Sequence, residues 1–341
     1  MEHANSTAIA GDTPSQLTGV SAHEFFHLWN VKRIRPRSLE PVDYTKEMYT
    51  RALWFAEGVT NSYEAYTLVR TGLWTSQQFY ANWAGQWNEL ESRPARRWQS
   101  AEQSSLDAWL EKYSLYNRPE QSISYYNKGE LLGFALDILI RDATDNRSSL
   151  DDMLRLLNDE YARRGRFYNE SEDLRAAAET VIARSAPGVK ADLREFFNRY
   201  VSGTDEMPYE EWLERAGWQL KPGGPRRAKL GFTFRRDAGD AQTLEGLEPG
   251  SSAEHAGLQD GDALLAINGE AVPRSSERWL RDHQPDERVT VKVRRHGEVK
   301  DYTFALDQTG SSYLIVEMPN PSEKQRRIRE GILHGTTDAS R

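Results

Sequence analysis

Ser21-Ala22-His23-Glu24-Phe25-Phe26-His27-Leu28-Trp29-Asn30 is the stretch on which the reading of this chain turns. It contains the pattern HExxH. On an α-helix, residues four apart lie on one face, about one turn apart. His23 and His27 can therefore aim two imidazoles at one metal ion. Glu24 leans to the side of that face, where it can reach a water at the ion without ligating the metal. Two nitrogen ligands and a carboxylate to accept a proton from attacking water are what a zinc peptidase needs. The pattern also arises by chance, and two helix histidines can be ordinary surface or core residues. The neighbourhood favours the metal reading. Phe25, Phe26, Leu28 and Trp29 make the segment apolar nearly all round, which marks a buried helix. Polar groups buried there need partners. Beyond Asn30, the cations of Val31-Lys32-Arg33-Ile34-Arg35 suit a helix C-terminus, and Pro36 forbids much continuation.

A catalytic zinc takes three protein ligands and leaves one position open. The chain has no cysteine and 7 histidines, so the third ligand is expected to be a carboxylate. Residues 49–60 read as a second aromatic-rich helix. Within them Glu57, flanked by Trp54, Phe55 and Gly58, is the best candidate. A glutamate favoured by the dipole of a helix first turn is the plainer explanation of the same residue. Glu64, two helical turns on, faces the same way. It either steadies a ligand histidine through the histidine's other ring nitrogen or is a solvated charge. Residues 122–132 bring Tyr125 and Tyr126 to the entry of an apolar helix. A tyrosine hydroxyl can donate to the oxyanion formed when water attacks a carbonyl, although packing tyrosines look the same in sequence.

At 341 residues, two or three domains are expected. The net charge of −8 gives no reason to expect nucleic acid or anionic membranes as partners. No apolar run approaches the roughly 18 residues of a membrane span; the longest, 131–140, is interrupted by Gly133 and Asp137. No basic-then-apolar leader opens the chain. On this chain alone that favours a cytoplasmic location, although a leader could be lost with a missing front end. From 76 to 200 the apolar spacing is helical, and 207–218 read as a last short helix. Lys221-Pro222-Gly223-Gly224-Pro225 reads as a linker. Beyond it the apolar period becomes two, at 230–234 and 288–294, and Asn268-Gly269 signals a tight turn. A small α+β module is expected there, with a polar tail after it.

The segments HEFFHLWNVKRIRP, WFAEGVT and YYNKG, in that order, resemble the glycyl-aminopeptidase family of gluzincin zinc metallopeptidases. The resemblance implies a multidomain protein. Its first part would be the mainly α-helical portion of a thermolysin-like catalytic domain plus a helical region. It implies one zinc per chain on His23, His27 and Glu57, with Glu24 as general base. It places the transition-state tyrosine at Tyr126, with Tyr125 as the alternative. It also implies an aminopeptidase acting on peptide or protein substrates with small N-terminal residues, glycine above all. Residues 228–308 resemble PDZ domains. Lys229-Leu230-Gly231-Phe232 stands where those domains hold a peptide's C-terminal carboxylate, so Leu230, Gly231 and Phe232 would take C-terminal peptides. Gly257-Leu258, Asp260-Gly261-Asp262 and Ile267-Asn268-Gly269 match the PDZ core. The expected organisation is thus 1–218 catalytic and helical, 219–227 linker, 228–308 PDZ-like and 309–341 polar tail.

One departure matters. The family carries a β-rich N-terminal domain and the start of the catalytic sheet ahead of these motifs. Here Met1-Glu2-His3-Ala4-Asn5-Ser6 resembles only the end of the motif that related aminopeptidases use to hold the substrate's free amine. By that match Glu2 would bind the amine. The expectation is an N-terminally truncated catalytic domain with an apolar patch beside the metal helix and weak activity. The competing expectation is a PDZ-type peptide-binding protein whose truncated peptidase half is inert.

Overall fold

Aromatic side chains organise the helices of the first half. A computed structural model of the chain describes residues 14–111, 119–223, 227–236, 242–308 and 313–338. It divides into two units, Met1–Lys221 with Leu314–Arg341, and Pro222–Tyr313. In the first unit the helix Tyr125–Ala143 is central. Ser124 caps it, its hydroxyl oxygen accepting from the Asn127 N–H. Leu132, Leu136, Ile138 and Ile140 are fully buried along it. The helices Thr60–Arg70, Ser76–Glu91, Leu150–Glu160 and Glu170–Ser185 gather around it. Trp83 stacks on Phe134 with ring centroids 3.8 Å apart, and Trp54 and Phe55 are completely enclosed.

The HExxH segment forms the helix Pro14–Phe26. His27 is the first residue past its end, yet its N–H still bonds the His23 carbonyl at 3.3 Å, so the one-turn spacing is kept. The buried-helix expectation is corrected in part. The helix buries His23 and packs Phe26 on Tyr63, with ring centroids 4.1 Å apart. Leu17, Val20, Phe25, Leu28 and Trp29 are exposed, Phe25 by 61%. The surface beside this helix is therefore apolar.

The polar-tail expectation is also corrected. Strand Tyr313–Glu317 pairs with Trp218–Pro222, part of which stood in the expected linker. The helix Glu323–His334 follows and packs into the first unit's core. Half of its residues are charged, but Ile328, Ile332 and Leu333 form one buried stripe. Each contributes about 1.5–3 kcal/mol of apolar burial. Arg70 Nε donates to the Ile332 carbonyl at 3.3 Å. The enclosed Arg141, paired with Asp137, donates to the Thr336 carbonyl at 2.8 Å. The second unit is thus an insertion between two parts of the first.

In the second unit a five-stranded antiparallel sheet runs in the order Thr233–Arg236, Gln242–Glu245, Ala263–Ile267, Arg288–Arg295, Glu298–Ala305. Alternation of Val289, Val291 and Val293 puts one face in the core with Leu244, Leu264 and Phe304. Asn268 and Gly269 both take positive φ, as a tight hairpin turn requires. Ala228–Lys229 pairs with Asp307–Gln308, and the short helices Ser252–His255 and Ser276–Leu280 complete the unit. Among the described residues, no helix is long and apolar enough to cross a membrane.

Candidate active site

Glu57 reaches the histidines because its backbone is wound unusually. Residues 49–60 were expected to be α-helical, but Trp54–Val59 form a π-helical turn that continues as the α-helix Thr60–Arg70. Such turns insert one extra residue into a helix and recur at functional sites. The turn packs backbone to backbone on the helix Tyr125–Ala143. A Cβ placed on Gly58 would lie 2.5 Å from Gly129 Cα, and one on Gly129 would lie 2.8 Å from the Trp54 carbonyl carbon. This crossing brings Glu57 to Tyr126.

The three expected ligands converge. His23 Nε2 lies 3.4 Å and His27 Nε2 3.3 Å from Glu57 Oε2. One donor atom from each residue falls within 4.8 Å of the other two. The far side of each imidazole is also met. His27 Nδ1–H donates to the Asn30 carbonyl at 2.7 Å, which in the neutral ring puts the lone pair on Nε2, facing Glu57. The Glu64 carboxylate stands 3.9 Å from His23 Nδ1. A carbonyl bonded as Asn30's is to His27 is how metal-binding histidines are oriented; Glu64 faces His23 from beyond hydrogen-bond distance.

The electrostatics suit a cation. Burial alone would raise the Glu57 carboxyl, but hydrogen bonds with His23 and His27, and their charge, hold it down at about 2. Burial draws His27 down, yet its bonds to Glu57 and to the Asn30 carbonyl, with the charges of Glu57 and Glu24, leave it raised. Two imidazole nitrogens and an ionised carboxylate form a donor set for zinc. The Tyr126 ring tilts beside His23 at 6.2 Å between centroids and stacks on Tyr125 at 4.8 Å. Burial, the Glu57 charge and hydrogen bonds with Glu57 and Tyr125 push its hydroxyl well above the ordinary tyrosine range. It therefore keeps its proton and can donate. Glu24 is exposed at the side of the cluster. Burial raises the Glu64 carboxyl, against the His23 charge.

The remaining candidates are placed differently. Glu2 lies outside the described residues. Leu230 and Phe232 turn their side chains into the second unit's core, at 1% and 5% exposure, so only their backbones can face a peptide. Gly231 between them takes φ +77° and packs on Ser251. Sequence reasoning missed Asn30, whose side chain is fully buried, and the paired glycines 58 and 129. It also missed Glu130, which burial pushes up to about 8 against hydrogen bonds with Asn82 and Asn61. A polar residue closing the HExxH segment and a glycine in each of the other two motifs were the available signals.

The family model described as M61 glycyl aminopeptidase matches residues 16–132, a range that includes His23, Glu24, His27, Glu57 and Tyr126. The PDZ domain model matches residues 244–295. The chain joins a glycyl aminopeptidase family domain to a PDZ domain. A solved structure described as an aminopeptidase N family protein from Idiomarina loihiensis superposes on 95% of this chain and 55% of its own, with a TM-score of 0.75. At 22% identity that likeness carries the fold alone. A probable periplasmic serine endoprotease, DegP-like, from Marinomonas sp. (strain MWYL1) is 26% identical over 122 residues, covering 31% of this chain and 26% of that protein. The chain thus spans about half the length of the solved structure and about a quarter of the curated relative.

Proposed function

We propose that the aminopeptidase family domain is a zinc-dependent peptidase that removes small N-terminal residues, glycine above all, from peptides or proteins. The observation carrying this reading is the meeting of His23, His27 and Glu57 donor atoms within 4.8 Å, with Tyr126 hydrogen-bonded to the same carboxylate. One divalent ion per chain would sit on those three side chains. Held there, it would polarise a peptide carbonyl and make water more acidic. Glu24 accepts the proton of the attacking water and passes it to the leaving amine. The protonated Tyr126 hydroxyl gives up its bond to Glu57 and donates to the oxyanion instead. Glu64 steadies His23 from behind. The preference for glycine rests on likeness to the family.

The test is metal content. Purified protein is expected to hold one zinc per chain, and His27→Ala close to none. Equal zinc in both would sink the assignment. Hydrolysis of glycyl substrates that a chelator abolishes and zinc restores would separate this reading from that of an inert scaffold carrying a PDZ domain.

A second activity is supported by the inserted unit. Strand Thr233–Arg236 forms one edge of the five-stranded sheet, and the positive φ of Gly231 turns the backbone just ahead of it. Peptides add to such edges by main-chain hydrogen bonds, and backbone N–H groups in a turn can hold a carboxylate. The protein is expected to bind peptides by their free C-termini, with amidated versions at least tenfold weaker in calorimetry. Equal affinity for acid and amide would rule carboxylate capture out.

A further inference from the structure

Asn30 joins the two segments that supply the candidate ligands. Its side chain is completely buried. Its amide nitrogen donates to the Phe55 carbonyl at 2.8 Å and approaches the Ala56 carbonyl at 3.4 Å. It also donates to Thr60 Oγ1 at 3.2 Å; that hydroxyl gives its own hydrogen to the Ala56 carbonyl at 2.7 Å. Carbonyls only accept, so the amide orientation is fixed: nitrogen toward the turn. Phe55 and Ala56 lie in the π-helical turn Trp54–Val59, beside Glu57. On the other side, the backbone carbonyl of Asn30 takes the His27 Nδ1 hydrogen at 2.7 Å. One residue thus sets the ring of one ligand and the backbone of another.

We infer that Asn30 is a positioning residue for the metal site, holding the Glu57 turn and the His27 ring in mutual register. This rests on the zinc reading proposed above. The chemistry is specific. Aspartate has the same shape but offers no N–H, and its charge would face two carbonyl oxygens. Alanine leaves the turn without its clamp. A π-helical turn has a ready alternative, the ordinary α-helix with one residue expelled, which rotates Glu57 away from the histidines. Partners of this kind typically change metal affinity by about 10–100-fold when removed.

The experiment uses the full chain as wild type, Asn30→Ala, Asn30→Asp and His27→Ala. Zinc affinity is measured by competition with a chromogenic chelator. Cobalt(II) is then substituted and its d–d spectrum recorded, because that spectrum reports ligand geometry rather than stability. Circular dichroism of the metal-free proteins shows that each variant is folded. Expected are a 10–100-fold loss of zinc affinity and an altered cobalt spectrum in both Asn30 variants. Affinity within twofold of wild type, with an unchanged spectrum, would overturn the inference and leave Asn30 as a packing residue. Should neither Asn30 variant fold, Thr60→Val decides. It removes one acceptor of the clamp at constant volume, and must move affinity in the same direction by a smaller factor; no movement overturns the proposal. A folded wild type that takes up neither metal overturns the zinc reading itself, and this inference with it.

Discussion

Glu24→Gln is expected to keep its zinc and lose peptide hydrolysis by more than the roughly 10²–10⁴-fold usual for a single acid–base group. Glutamine retains the size and hydrogen-bonding reach of glutamate but cannot accept a proton at neutral pH. The excess is expected because one carboxylate serves twice, taking the proton from water and returning it to the leaving amine. Metal content should not change, because Glu24 stands outside the cluster of His23, His27 and Glu57. Folding should not change either. Glu24 is exposed, and exposed substitutions away from special features usually fall within about 0.5 kcal/mol. Zinc analysis, thermal melting and turnover of a glycyl substrate check the three statements together. A variant that turns over nearly as fast as wild type removes Glu24 from the mechanism.

Gly129→Ala is expected to damage stability and activity together, against the usual sign for such a change. In a helix interior, glycine is less favourable than alanine by about 1 kcal/mol, so propensity alone predicts a gain. The crossing predicts otherwise. The new methyl would strike the Trp54 carbonyl oxygen, 2.8 Å from its carbon and 2.9 Å from Trp54 Cα, all backbone atoms. Overpacking of this kind costs about 1–3 kcal/mol or more, from a total of only about 5–15. The helix must also withdraw from the turn, and Tyr126 with it from Glu57. Gly85→Ala supplies the comparison. Gly85 lies in the helix Ser76–Glu91 with nothing within 4 Å of its added Cβ, so it should melt at or above the wild-type temperature. If the two variants melt alike and turn over alike, the close crossing is not what holds the site.

What could be read from the chain was whatever repeats at short range. The spacing of His23 and His27 is a helical fact, visible in five letters. Glu57 stood out as a carboxylate among aromatic residues, and Asn268-Gly269 as a turn that takes positive φ. The PDZ strands were legible by their period of two. What escaped depends on partners far apart in sequence. Asn30 meets Phe55, Ala56 and Thr60 by hydrogen bonds that leave no periodic trace. The π-helical turn differs from an α-helix by one residue, below the resolution of any apolar pattern. Gly58 and Gly129 are legible as glycines but not as a pair. Charge misled at 323–334, where three buried apolar side chains are hidden among glutamates, arginines and a lysine. Hydrophobicity misled at Phe25 and Trp29, which are apolar in sequence yet exposed in the structure.

The insertion also sets an order in time. During synthesis the helices of the peptidase unit leave the ribosome first, but its core is finished by Ile328, Ile332 and Leu333. The roughly ninety residues of Pro222–Tyr313 come between them. At about 5–20 residues per second, that interval lasts about 5–20 s. Throughout it the places on Arg70 and Arg141 that later take the Ile332 and Thr336 carbonyls wait open, while the PDZ unit, whose strands are contiguous, has all it needs to fold. The inserted unit is therefore complete in sequence before the unit that surrounds it. The helix that continues the Glu57 turn gains its packing partner Glu323–His334 only after the inserted unit has left the ribosome.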